Sequence, residues 1–136
     1  MPGTKAPLFI AHRGESHDAP ENTLASINLA WERKVPAVEI DVRVSRDREA
    51  MVIHNATTGH MAGVDWRISR RTCADLRTLD FGRMRGPAWT GLTIPTLAEV
   101  LDTVPSGGRL LIEIKAGAEA VESIRKALAA SRIKPE

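Results

Sequence analysis

Seven ionisable residues stand where β-strands should be apolar. His12 and Arg13 close the run Leu8 to Ala11, and His54 follows Ala50 to Ile53. Glu39 and Asp41 interrupt Val38, Ile40, Val42 and Val44, while Glu113 and Lys115 interrupt Leu110 to Lys115. Residues two apart in a strand point to one face, so Glu39, Asp41 and Arg43 share a face, as do Glu113 and Lys115. One polar strand face is ordinary in a half-wet antiparallel sheet. Four such strand ends in one chain ask for more, because unpartnered buried charge is costly and a shared partner offsets it. Glu39, Asp41 and Glu113 form a hard-oxygen set suited to Mg²⁺ or Ca²⁺. His12 and His54 are candidates for general acid and base, since their reference pKa lies near neutrality. Arg13 and Lys115 offer cations for a phosphate. This combination describes phosphodiester chemistry better than acyl or hydride transfer. No nucleophilic Ser or Cys motif and no Gly-rich phosphate loop compete with it. His17 and His60 lie in polar stretches and read as surface histidines, and Cys73 as a small residue on a helix.

The elements that must position these residues alternate. Leu8 to Ala11 reads as a short buried strand. Asn22 to Lys34 carries a loose helical face at Leu24, Ile27, Leu29 and Trp31, bounded by Pro20 and Pro36. Ala37 to Val44 alternates strictly and is a strand. The polar link 45–48 is turn-like, so Ala50 to Ile53 should pair with it as a hairpin, with a parallel arrangement left open. Ala56 to Arg71 has no period and reads as loop. Thr72 with Asp75, and Thr96 with Glu99, have capping-box spacing at the starts of helices over 72–80 and 96–104. Leu110 to Lys115 is a fourth strand after Gly107 and Gly108, and Ala118 to Ser131 a terminal helix. The order is that of an α/β or barrel-like fold, and charges at the carboxyl ends of barrel strands are where such folds place active sites.

Length and composition narrow the field. The 136 residues make one domain over 1–136, in the usual range of about 100–150 residues. A complete eight-unit α/β barrel needs at least about 200. Apolar residues at 43% and charged residues at 26% are those of a globular chain. A net charge of +2 gives no argument for nucleic acid or a membrane surface. Six Arg against two acids between Arg67 and Arg85 read as a solvated surface or as a positive rim for anionic substrates. The single Cys73 excludes an internal disulfide. Met1 to Pro7 lacks the apolar core of a leader peptide, and no stretch suits a transmembrane helix, which makes a cytoplasmic protein the expectation.

The strings Ile10-Ala11-His12-Arg13-Gly14, Ala19-Pro20-Glu21-Asn22-Thr23, Val38-Glu39-Ile40-Asp41-Val42, Val52-Ile53-His54, Ile94-Pro95-Thr96-Leu97 with Glu99-Val100-Leu101, and Ile112-Glu113-Ile114-Lys115 strongly resemble the glycerophosphodiester phosphodiesterase family. The blocks follow the family's order across residues 8–115. The resemblance implies a divalent-metal enzyme on a TIM-type α/β barrel. It would hydrolyse deacylated phospholipids, such as glycerophosphocholine, to glycerol 3-phosphate and an alcohol. It maps the metal ligands to Glu39, Asp41 and Glu113, the acid/base pair to His12 and His54, and the phosphate contacts to Arg13 and Lys115. Glu21 and Asn22 lie in a supporting block. Asn22 either organises the pocket beside His12 or caps the following helix. Asn55 stands where the family usually has Asp, so it would orient a partner without lending charge. The chain corresponds to about the N-terminal half of the barrel, four strands of it. Its open edges favour a homodimer that completes or covers the half-barrel. Two further readings stand beside this: a relative that binds metal or phosphate without turnover, and another phospholipase of the same superfamily.

Overall fold

A computed structural model describes residues 3–133 of the chain. The leader-peptide expectation over Met1 to Pro7 therefore falls partly outside the described residues, as do the last three positions of the 1–136 domain. The order is β1 (Ile10–His12), α1 (Leu24–Glu32), β2 (Ala37–Val44), β3 (Ala50–Val52), α2 (Gly59–Ala62), α3 (Cys73–Leu76), α4 (Leu97–Thr103), β4 (Arg109–Ile114) and α5 (Ala118–Ala130). Short 3₁₀ turns occupy Ile68–Arg70, Arg83–Arg85 and Pro87–Trp89.

β2 is the central strand. β1 runs parallel to it over Ala37–Glu39, and β4 runs parallel over Ala37–Val42. β3 is antiparallel and pairs with Val42–Val44. Val42 pairs with both Val52 and Ile114, so β3 follows β1 along one edge of β2 while β4 holds the other. All four expected strands are present, and three run in the barrel direction. The fourth turns back because the five-residue link from Ser45 to Glu49, closed by the bond from Ser45 N–H to the Glu49 carbonyl, is too short for a parallel crossover.

The strict alternation of β2 divides the molecule. Val38, Ile40 and Val42 are fully buried against α1, α4 and α5, in a core with Ile27, Ala30, Leu97, Val100, Leu101 and Ala120. Its other face carries Glu39, Asp41 and Arg43. β3 alternates too: Ala50 and Val52 join the helical core, while Met51 and Ile53 join a second core with Ile68, Leu76, Phe81 and Ile94. The long excursion between β3 and α4, read as mostly loop, therefore has a core of its own.

Helix starts follow the capping logic. Thr72 and Asp75, and Thr96 and Glu99, make reciprocal capping boxes. α3 is only one turn long. α1 begins at Thr23, whose side chain accepts from Ser26 N–H, so Thr23 and not Asn22 is the cap. The expectation of a buried first strand fails. Phe9 is 71% exposed and Leu8 and Ile10 are also exposed, because no strand among the described residues lies along the outer edge of β1.

Truncating Ile40 to Ala should cost about 2–5 kcal/mol, the range for buried aliphatic truncation. Val121→Ala, on the exposed side of α5, should stay within about 0.5 kcal/mol. Urea unfolding measures both; equal losses would contradict the two-layer core.

Candidate active site

The carboxylate face of β2 and the adjoining strand ends assemble the site. The cross-strand pairing of Asp41 with Glu113 is fixed by the β2–β4 register. It brings single oxygens of Glu39, Asp41 and Glu113 within 4.8 Å of one another. Asp41 is fully buried, Glu39 mostly so, and Glu113 half exposed. Both carboxylate oxygens of Glu39 and Oδ1 of Asp41 are buried and hydrogen-bond to nothing in the protein. Unsatisfied acceptors of this kind are costly. A hard divalent cation is the partner their chemistry fits, and Glu39, Asp41 and Glu113 would hold it.

The remaining oxygen of Asp41 is held firmly. Asn22 Nδ2 donates to Asp41 Oδ2 at 3.0 Å, and the Asp41 backbone N–H donates back to Asn22 Oδ1 at 3.3 Å. Arg13 Nε lies 3.3 Å from the same oxygen, and Arg13 Nη1 donates to Glu21 at 3.0 Å. Arg13 and Asn22 both have positive φ, 58° and 54°. Non-glycine residues adopt this region at a cost, and such positions cluster at functional sites. Here the strain is braced: Arg13 N–H bonds the Glu39 carbonyl at 2.8 Å, and Asn22 N–H bonds the Arg13 carbonyl at 2.9 Å. Gly14 must be glycine, since a Cβ there would lie 2.9 Å from the backbone nitrogen of Ile27.

His12 borders this cradle, and His54 follows β3 at the neighbouring strand end, its carbonyl bonded to Arg43. His12 Nε2 is 3.4 Å from Glu39 Oε2, with its side chain 66% exposed. His54 Nδ1 is 2.7 Å from Asn55 Oδ1. An amide oxygen only accepts, so with the amide oriented so this contact puts a proton on Nδ1. Lys115 Nζ pairs with Glu113 Oε1 at 2.8 Å, so it reaches the cradle through the third carboxylate.

Every residue singled out from the sequence for the site lies in this region, and the structure adds two. His60 is exposed, as expected of a surface residue, yet its Nε2 stands 4.0 Å from Glu21 Oε2, and partial burial of the ring pulls its pKa down. Glu21 and His60 line a cavity of about 210 Å³ with Pro20, Met61, Phe81, Met84 and Arg85. His17, 97% exposed beside Asp18, is the surface residue expected. Arg43 is the second addition. Its Nε donates to the His54 carbonyl at 2.8 Å and its Nη1 to the Lys115 carbonyl at 3.0 Å. The signal was present in the sequence as a third charged residue on the polar face of β2. Three of the six arginines of 67–85 are engaged in structure, Arg71 stacked over Trp66 at 4.0 Å, Arg77 bonded to Glu99 and Arg85 to the Ser16 and Ala19 carbonyls, while Arg67, Arg70 and Arg83 are exposed. That favours the surface reading over a positive rim.

A partial parallel barrel with carboxylates and histidines at its strand ends has its ionisable groups where α/β barrels place active sites. The glycerophosphoryl diester phosphodiesterase family model matches residues 12–134, and the chain belongs to that family. A glycerophosphodiester phosphodiesterase of Caldanaerobacter subterraneus subsp. tengcongensis is 36% identical over 111 residues, covering 81% of this chain and 46% of the relative. One from Bacillus subtilis is 32% identical over 117 residues, covering 79% and 40%. The solved structure of an Oleispira antarctica phosphodiesterase in complex with its product sn-glycerol-3-phosphate superimposes with a TM-score of 0.86 at 34% identity, covering 91% of this chain and 52% of that one. The chain thus spans about half the length of the relatives it matches.

Burial first, then the charge of Asp41, raise the Glu39 pKa, with His12 opposing. A carboxyl with a folded pKa above its unfolded one lends stability below the unfolded value. That stability is lost as pH rises through the folded value. A divalent cation should reverse the loss, adding about 2.7 kcal/mol at a hundredfold excess over its Kd. Thermal melts at pH 7 should show Mg²⁺ or Ca²⁺ raising Tm in wild type and not in Glu39→Gln, whose metal-free Tm should match or exceed wild type. An equal metal response in both proteins would remove Glu39 from the ligand set.

Proposed function

We propose that this chain carries the catalytic groups of a divalent-metal-dependent glycerophosphodiester phosphodiesterase, releasing glycerol 3-phosphate and an alcohol. The observation that carries this reading is the set of orphaned carboxylate oxygens on β2, bordered by His12, with His54 at the neighbouring strand end. Support also comes from the family membership and from the product held by the Oleispira relative. When bound, Mg²⁺ or Ca²⁺ would supply Lewis-acid stabilisation of phosphoryl charge.

The protein's own groups do the rest. Arg13 and Lys115 bind the phosphodiester oxygens, with Arg13 oriented by Glu21 and Asp41. His54 removes the proton from the attacking hydroxyl, which is the substrate's own glycerol 2-hydroxyl. His12 donates a proton to the departing alcohol oxygen. Water then opens the resulting cyclic phosphate with the two roles exchanged, so each histidine ends as it began. Asn55 fixes the tautomer of His54 and lends no charge.

The scaffold supports a second part of the reading, a homodimer. Along β4 a groove of about 480 Å³ is lined by Leu8, Leu101, Leu110, Leu111, Ile112 and Leu128, and Leu111 and Ile114 remain exposed. The outer edge of β4 is unpaired among the described residues. Edges and apolar surface of this kind promote association, and a second copy of the chain is the proposed cover. A cytoplasmic setting accords with the lone thiol of Cys73, which can form no internal disulfide.

Release of glycerol 3-phosphate from glycerophosphocholine with Mg²⁺ or Ca²⁺ should fall at least about 100-fold in His12→Ala, a typical general-acid contribution. The pH profile should be bell-shaped with near-neutral limbs. Metal-independent or His12-independent release would sink the mechanism. Light scattering should give twice the monomer mass at micromolar concentration; a monomer would refute the second copy.

A further inference from the structure

We infer that Arg43 is the positioning residue that sets the spacing between the two sides of the site. The inference rests on the site reading above and goes beyond it. Arg43 projects from the carboxylate face of β2, two residues beyond Asp41, and is only half buried. Its guanidinium makes no ion pair with a carboxylate among the described residues. It spends two donors on main-chain carbonyls, Nε on His54 at 2.8 Å and Nη1 on Lys115 at 3.0 Å. These carbonyls end two different segments: one follows β3 and carries an acid/base histidine, the other follows β4 and carries the lysine and, two residues earlier, Glu113.

At this point the backbone ladders run out. β3 ends at Val52 and β4 at Ile114, so beyond them each segment keeps few backbone bonds to β2. The remaining ladder-like bonds come from β2 itself: Ile53 N–H to the Asp41 carbonyl and Lys115 N–H to the Val42 carbonyl. Arg43 adds one side-chain bond to each segment from the same strand. A planar fork holds two acceptors at a fixed separation, which a flexible ammonium cannot do. The distance from the His54 ring to the Glu113–Lys115 side is therefore set by the guanidinium, and a shift of about 1 Å in such a spacing is enough to cost 100-fold in rate.

Arg43→Lys and Arg43→Met test this against wild type. Lysine restores the charge without the fork; methionine keeps much of the aliphatic stem. The main-chain carbonyl ¹³C resonances of His54 and Lys115 should move in both variants. The kcat on glycerophosphocholine should fall about 10–100-fold, as for other supporting-shell changes, with KM changing far less, and lysine should not rescue it. Unmoved carbonyl resonances, or wild-type kcat in Arg43→Lys, overturn the inference, since charge or packing would then suffice. If wild type shows no turnover, the phosphodiesterase reading fails separately. The carbonyl resonances and the Ca²⁺ dissociation constant, expected to weaken about tenfold in Arg43→Lys, then decide, and unchanged values overturn it.

Discussion

Three carboxylates crowded across two neighbouring strands are the constraint around which the structure is organised. Glu39, Asp41 and Glu113 converge within 4.8 Å, Asp41 buried, Glu39 mostly so and Glu113 half exposed, and like charges this close repel. Each has a different offset. Asp41 has Arg13 and Asn22, Glu113 has Lys115, and Glu39 has only His12 at 3.4 Å. Burial, and after it the charge of Asp41, push the Glu39 carboxyl toward protonation. The strained backbones of Arg13 and Asn22 belong to the same arrangement. Both residues are held in αL geometry by bonds that also aim their side chains at Asp41.

Much of this was legible in the sequence, for a specific reason. β2 is buried on both sides, and a strand in that position should be continuously apolar. Glu39, Asp41 and Arg43 break that rule in strict alternation, so both the strand and its chemical face could be read from the same eight residues. The capping boxes at Thr72 and Thr96 were legible because they are local, closing within four residues. The exposure of β1 was not legible, since it depends on what lies beside the strand. Asn22 was legible only as a choice between organising the pocket and capping the helix; its partner Asp41 is nineteen positions away, and the bonds to it decide for the pocket. His60 was read as a surface residue and is exposed; what the sequence did not carry is its approach to Glu21, thirty-nine positions away.

The balance between chemistry and scaffold is uneven. The candidate metal ligands and acid/base histidines lie on β1, β2, β4 and the segment after β3. The scaffold is open: among the described residues β1 and β4 have bare outer edges, and inward-facing Ile10 and Leu111 are exposed at 44% and 39%. Barrel interiors are filled by layers of side chains from alternate strands. The layers nearest the site are therefore present as charges, while the deeper apolar layer has only one wall.

The alternation of β3 has a further consequence. Val52 faces the helical core and Met51 and Ile53 face the excursion core, so one three-residue strand is a party wall between two independently packed compartments. Regions with a core of their own can open locally while the rest of the domain stays folded. The compartment holding His60 and the approach to Glu21 can thus breathe without disturbing the Val38–Ile40–Val42 layer that anchors the carboxylates. How far it opens is set by the polar ties that cross the wall, Arg85 to the Ser16 and Ala19 carbonyls and Arg77 to Glu99.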